Sequence, residues 1–273
     1  MINIVLFVTL LVILVVWSFG FLFTHDFSVQ TKNINDISSK NPNVLIIFPH
    51  ADDEALSSGG LISQLSRKKN KISWIILTKG ERGNATATID EKLKIIRINE
   101  ARQAAQIYGI NNLVQKDYPD NEVVAYKNKL NNDLKSMITE NKPSLIITYD
   151  LAGLYGHPDH TVVSEVVTKL VKHDFPHTKL WYVSYPKKIL DLIPLPEHMA
   201  TDNKFKKNRS YPSCKVWVGL SGVLDKMRAI YTYKSQRQSF VNSFPIKIFP
   251  LWLYISLSSY EYYCEVNQSN NKL

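Results

Sequence analysis

The chain has 273 residues, a formal net charge of +9, 45% hydrophobic residues and two cysteines. That length can bury a sizeable core, which excludes a peptide-like or wholly disordered chain and fits one α/β domain. Two cysteines exclude a disulfide scaffold and suit a reducing compartment, and no nucleic-acid recognition motif accompanies the basic charge, so no nucleic-acid partner is expected.

Residues 2–23 contain no Asp, Glu, Lys, Arg or His. At a rise of ~1.5 Å per residue they span roughly 33 Å, enough to cross a bilayer core. A cleaved signal peptide is the alternative. The segment lacks a basic leading region and a small-x-small cleavage site, so a retained single-pass membrane anchor is the expectation. Lys32 and Lys40 follow it and no Lys or Arg precedes it, which places the following domain in the cytoplasm by the positive-inside rule. Residues 24–43 are polar and read as a linker.

From Val44 apolar runs and amphipathic stretches alternate. Strands are expected at 44–48, 72–77, 113–115, 145–149 and 180–184, with helices at 57–69, 91–108, 125–140 and 158–172 between them. A strand at 215–220 and a helix at 224–233 complete a domain over residues 44–239. The expected fold class is α/β: a Rossmann-like, mostly parallel sheet with helices on both faces, preceded by one N-terminal transmembrane helix. Lys187, Lys188, Lys204, Lys206, Lys207 and Arg209 make a basic region that reads either as a solvated loop or as a surface drawn to anionic lipid. Residues 240–273 form a tail rich in Phe, Trp and Tyr, which either packs on the domain or lies at a membrane interface.

Two polar clusters follow two of the strands. Pro49-His50-Ala51-Asp52-Asp53-Glu54 comes directly after the first, and Gly156-His157-Pro158-Asp159-His160 comes shortly after residues 145–149. In parallel α/β sheets ligands bind beyond the carboxyl ends of the strands, where both clusters fall. Two imidazoles and one carboxylate, His50, His160 and Asp53, with a position left for water, make a catalytic zinc set, Fe(II) being the alternative. Asp52, beside Asp53 but facing the other way, is placed as general base. His157 is left as electrophile or proton donor, and Asp159 is the carboxylate that would offset the helix N-terminus's bias against its charged form. Residues 157–160 do not follow the His-Glu-x-x-His protease pattern, so peptidase chemistry is not indicated.

With these residues in place, the chain resembles the PIG-L, or LmbE-like, family of zinc-dependent N-deacetylases over about residues 44–236. The family's His-Pro-Asp-Asp-Glu motif is matched by His50 to Glu54, with Ala51 in place of proline, and its His-Pro-Asp-His by His157 to His160. Thr78-Lys79-Gly80-Glu81 and Arg97-Ile98-Asn99-Glu100 are weaker matches. Tyr233-Lys234-Ser235-Gln236 looks like the family's His-x-Ser-Gln with Tyr233 where a His is usual. The resemblance implies removal of an N-acetyl group from a GlcNAc-containing lipid or glycoconjugate. It carries over His50, Asp53 and His160 as metal ligands, Asp52 as base, and His157 with Asp159 as acid and its orienter. It further implies that Arg97 binds substrate and that Glu100 holds loop structure. A soluble amino-sugar conjugate as substrate, or a non-catalytic carbohydrate- or lipid-binding module that keeps a metal, are the competing expectations. The membrane is expected as a partner through the N-terminal helix and the basic and aromatic C-terminal regions.

Overall fold

The computed structural model describes residues 2–39, 42–84, 86–193, 209–243 and 250–266. Expectations placed on Lys40, Lys204, Lys206 and Lys207, and on the aromatic residues Phe244 and Phe249, lie outside the described residues. Eight described strands, β1 (Gln30–Lys32), β2 (Val44–Phe48), β3 (Ile72–Thr78), β4 (Asn112–Tyr118), β5 (Leu145–Thr148), β6 (Lys179–Ser184), β7 (Cys214–Trp217) and β8 (Tyr260–Glu265), form one sheet. Its order is β1-β7-β8-β6-β5-β2-β3-β4. Neighbours are parallel throughout except at β8, which runs against both β6 and β7.

The central strands are buried on both faces, which is why they read as unbroken apolar runs rather than alternating ones. Val44, Ile46 and Phe48 of β2 enter one core layer, with the helices Gly59–Arg67, Glu91–Tyr108 and Gly219–Thr232. Leu45 and Ile47 point the other way, into a layer shared with the helices Lys127–Asn141 and Pro158–His173. The result is a doubly wound α/β fold with β2 and β5 side by side, in register from Val44 opposite Leu145. At that pair the chain's winding reverses direction, so the loops leaving β2 and β5 diverge and leave a crevice between them.

The helix Ile2–Thr24 precedes this fold, and its apolar window has a mean hydropathy of 2.8 with none of it buried. The stretch that follows is more than a linker, because β1 pairs with β7 from Gln30 opposite Cys214. A three-residue edge strand whose partner lies about 180 residues away carries no local periodicity to reveal it. The aromatic tail also joins the sheet, where β8 fills the gap between β6 and β7. The helix at Gly219–Thr232 begins five residues before the expected residue 224. Gly222 does not break it: a Cβ there would lie 2.9 Å from Val218 Cβ and 3.2 Å from the Gly60 carbonyl, so glycine permits close helix packing.

The tail's most consequential side chain is Glu261, buried in β8. Its carboxylate accepts hydrogen bonds from the Gly60 and Leu61 backbone N–H groups, both at 2.8 Å, and pairs with buried Lys226 at 3.0 Å. It thus caps the helix Gly59–Arg67 and neutralises a buried cation at once. Glu261→Ala strands that ammonium and two N–H donors. A loss of about 3–5 kcal/mol is expected, read from the denaturation curve of the purified protein.

Candidate metal centre and active site

Beyond β2 the chain turns sharply through Pro49 to Asp52. The Pro49 carbonyl accepts from Thr78 N (2.9 Å) and Thr78 Oγ1 (3.0 Å), which ties the turn to the end of β3. Asp52 has φ 102°, a left-handed conformation that costs a non-glycine residue on the order of 1–3 kcal/mol unless its surroundings enforce it. Here they do. Asp52 N donates to Glu54 Oε2 at 3.1 Å, and Arg97 Nη2 donates to the Ala51 carbonyl at 2.7 Å. The reversal turns adjacent carboxylates to opposite sides: Asp53 faces His50, while Asp52 lies 3.4 Å from Arg97.

The second cluster follows β5. Asp150 is buried and accepts from Leu154 N (3.0 Å) and Ser210 N (2.7 Å), pinning the short helix Gly153–Gly156. His157 caps the helix Pro158–His173, its Nδ1 accepting from Asp159 N at 3.2 Å, with Pro158 in the first helical position. Gly153 has φ +60°, and a Cβ on it would lie 2.8 Å from His160 Cβ, so only glycine lets the loop close over that histidine.

Three donor groups converge from the two clusters. His50 Nδ1 lies 3.2 Å from His160 Nε2 and 3.6 Å from Asp53 Oδ2, and His160 Nε2 lies 3.4 Å from Asp53 Oδ1. Tetrahedral ligands at ~2.0–2.1 Å from one ion stand ~3.3 Å apart, so these donors have the spacing of a divalent-cation site. The other polar atoms of the same side chains are held from outside. His50 Nε2 faces Asp120 Oδ1 at 3.1 Å and Asp159 Oδ2 at 3.2 Å, and His160 Nδ1 faces the Gly153 carbonyl at 3.2 Å. Asp53 accepts from Tyr149 Oη at 2.9 Å and from His50 N at 3.0 Å. These partners favour ring protons at His50 Nε2 and His160 Nδ1, so the two inward nitrogens are the ones that would turn lone pairs to a metal once His50 gives up its inward proton.

Other groupings are also compact. His50, His157 and His160 present ligand atoms within 4.8 Å of one another, as do His50, Asp120 and Asp159. The Asp159 oxygens already accept from Asn121 N (2.8 Å) and Val123 N (3.1 Å), and Asp120 accepts from Arg82 N (3.1 Å). That second group therefore suits a hydrogen-bonded support better than a cation cage.

The electrostatics follow the same division. Burial pushes Asp52 up to about 7, against the pull of Arg97. Burial opposes the charged form of Asp53 as well, but His160 and His50 outweigh it and hold that carboxyl far below the ordinary range. Burial drives His160 down to about 3, which keeps it neutral. Burial would also lower His50, yet the carboxylates of Asp120, Asp159 and Asp53 hold it well above the usual value. His157 is lowered, first by burial and then by its neighbour His50, with Asp159 pulling the other way.

One expectation needs correction. The Asp159 carboxylate reaches His50 and the backbone at Asn121 and Val123, rather than serving His157 as its direct partner. The helix geometry is the reason: His157 caps through the Asp159 backbone, which directs the Asp159 side chain inward and away from it. Arg97, expected to bind substrate, is buried with its guanidinium on Ala51 and Asp52, where it holds the first turn. Glu100 accepts from Ser235 N (2.9 Å) and Ser235 Oγ (2.6 Å), the loop-holding position expected of it. Tyr233 donates to Glu54 Oε1 at 2.7 Å, so the first cluster and the Tyr-Lys-Ser-Gln segment support each other.

Sequence reasoning missed Asp120 and Tyr149. The strand near 113–115 extends to Tyr118, which brings Pro119-Asp120 to the same carboxyl edge as the two clusters. Asp120→Asn is expected to weaken divalent-metal binding about 10- to 100-fold, measured by competition with a chromogenic chelator. Unchanged affinity would show that the carboxylate does not orient His50.

Residues 45–171 match the PIG-L family, described as GlcNAc-PI de-N-acetylase. A probable N-acetyl-α-D-glucosaminyl L-malate deacetylase 2 from Bacillus anthracis is 32% identical over 132 residues, which cover 46% of this chain and 58% of that relative. The chain spans about half the length of the curated relatives it matches. Among solved structures, an N,N'-diacetylchitobiose deacetylase from Pyrococcus horikoshii superposes with a TM-score of 0.60 at 20% identity, covering 86% of this chain and 90% of that one. A 4-carboxy-2-hydroxymuconate hydratase from Pseudomonas putida gives a TM-score of 0.55 at 18% identity, covering 78% and 82%. These two show a shared fold, and a fold that carries both names does not by itself choose a reaction.

Proposed function

We propose that the PIG-L family domain at residues 45–171, with the elements packed around it, is a metal-dependent hydrolase that removes the N-acetyl group from a GlcNAc-containing lipid or glycoconjugate. The observation that carries this reading is the 3.2–3.6 Å spacing of the His50, Asp53 and His160 donors, with Asp52 beside them and turned away. The names of relatives that act on acetylated glucosamine conjugates support the choice of substrate.

Zinc or Fe(II) held by His50, Asp53 and His160 would lower the pKa of a water molecule toward ~7 and polarise the acetyl carbonyl. Asp52 takes the proton of the attacking water, its carboxylate fixed by Arg97 and by the left-handed turn. Since His157 Nδ1 accepts from Asp159 N, its Nε2–H is the donor available to the carbonyl oxygen. With its pKa lowered, His157 serves as a neutral hydrogen-bond donor to the developing oxyanion rather than as a resting imidazolium. The proton accepted by Asp52 then goes to the leaving amine, so water and amide yield acetate and a free amino sugar.

A soluble conjugate is the second reading, favoured by the malate conjugate in the Bacillus relative's name. The test is acetate release by the purified, metal-loaded full-length protein from a panel of GlcNAc conjugates, with products identified by mass spectrometry. Release from none of them would overturn the deacetylase reading.

A further inference from the structure

The helix Ile2–Thr24 meets the domain at its C-terminal third, and the contacts show which way it departs. Asp26 N donates to Tyr262 Oη at 2.9 Å, and the His25 ring stands 4.4 Å from that of Tyr260. One turn earlier, the Leu22 carbonyl accepts from Lys188 Nζ at 3.1 Å. Earlier still, Trp17 Nε1 donates to Ser256 Oγ at 3.1 Å. Tyr260 begins β8 opposite Trp217, the last residue of β7, and Ser256 precedes it. Read toward its N-terminus, the helix therefore rises past the carboxyl edge of β6 and β7 and continues exposed beyond it.

That is the edge where the metal centre lies. The loop after β6 links the two: Tyr185 Oη donates to the carbonyl of Leu56, in the helix that carries Asp53, at 3.3 Å, while Lys188 holds Leu22. The same edge displays large apolar side chains. Trp217 is 57% exposed, Leu220 74%, Leu224 48% and Trp252 46%. Leu220 and Leu224 sit in the opening turns of Gly219–Thr232, against which the helix Leu251–Ser256 bearing Trp252 packs. Tryptophan beside aliphatic residues is the composition of a surface at the boundary between lipid and water.

We infer that this carboxyl edge, with Trp217, Leu220, Leu224 and Trp252, lies against the bilayer entered by residues 2–24, so that the His50–Asp53–His160 site addresses head groups presented from that bilayer. The surface assignment rests on the membrane-spanning reading of the N-terminal helix, and its head-group clause rests on the deacetylase reading. A protein partner on this face would need no such alignment with the helix. The bilayer is the occupant that an exposed apolar helix of this length and composition suits.

The test uses full-length protein in phosphatidylcholine vesicles whose acyl chains are brominated at carbons ~6 and ~7, near the boundary region where tryptophan resides. Trp17→Phe removes the helix's own tryptophan, and Trp74 and Trp181 are buried in the domain. Emission of this variant is expected to fall by roughly a third relative to unbrominated vesicles, as interfacial tryptophan would. Adding Trp217→Phe and Trp252→Phe should abolish the quenching. A Trp17→Phe protein that is unquenched would overturn the surface assignment.

The second arm compares a GlcNAc-dialkylglycerol in the same vesicles with methyl N-acetylglucosaminide in solution. Leu220→Glu with Leu224→Glu should lower turnover of the lipid substrate about tenfold and leave the soluble one within about twofold, because only the first requires apposition. Equal effects on both would overturn the head-group clause. Acetate released from neither substrate by the unmodified protein would indict the deacetylase reading instead, while the quenching result still decides the surface.

Discussion

Asp52→Asn should lower acetate release from a GlcNAc conjugate by about 10²- to 10⁴-fold, the range a positioned general base supplies, while metal content stays that of the unmodified protein. The separation of the two effects follows from the left-handed turn at Asp52. Its carboxylate lies toward Arg97, and that of Asp53 lies toward His50 and His160. Asparagine keeps the shape and the tolerance for positive φ, so the turn should survive. It offers no basic oxygen to receive the water's proton. Turnover measured beside elemental analysis on the same sample checks this result. Full activity would remove Asp52 from the mechanism, and loss of metal would mean that its carboxylate belongs to the ligand set.

His160→Gln should abolish stoichiometric metal binding and reduce turnover at least ~10³-fold. Lowering the pKa of water from 15.7 to about 7 is worth roughly 12 kcal/mol of ionisation free energy, and forfeiting even a third of that accounts for three decades. Glutamine fills much of the space stacked on Tyr149, whose ring lies 4.4 Å from that of His160, so the fold should persist with a modest loss of stability. Circular dichroism and elemental analysis check the two halves. A folded variant that keeps both metal and activity would remove His160 from the site.

What the sequence reveals about this molecule is what local chemistry encodes. Unbroken apolar runs at residues 44–48 and 145–148 announce buried parallel strands, and the polar clusters directly after them fall on one edge once the strands are parallel. The left-handed residue needed to part Asp52 from Asp53 leaves no such mark, since an Ala-Asp-Asp sequence is compatible with many turns. Strands β1 and β8 were illegible because each is specified by partners remote in sequence: Gln30 pairs with Cys214, and Tyr260 to Glu265 insert between strands that end at Ser184 and Trp217. Asp120 was hidden for a related reason. Strand β4 is half exposed at the sheet's margin, its mixed residues blur the alternation, and its true end at Tyr118 sets where Asp120 falls. The supporting contacts of Arg97, Glu100 and Tyr233 depend on tertiary packing around the first turn, which motif spacing alone does not encode.

The central claim is that one divalent cation is gripped jointly by the two clusters. Crystals of the zinc-loaded protein, measured on both sides of the zinc absorption edge, test it most directly. The account predicts a single anomalous peak ~2.0–2.2 Å from His50 Nδ1, His160 Nε2 and the Asp53 carboxylate. A peak centred on other residues, or none at this crevice, would contradict it.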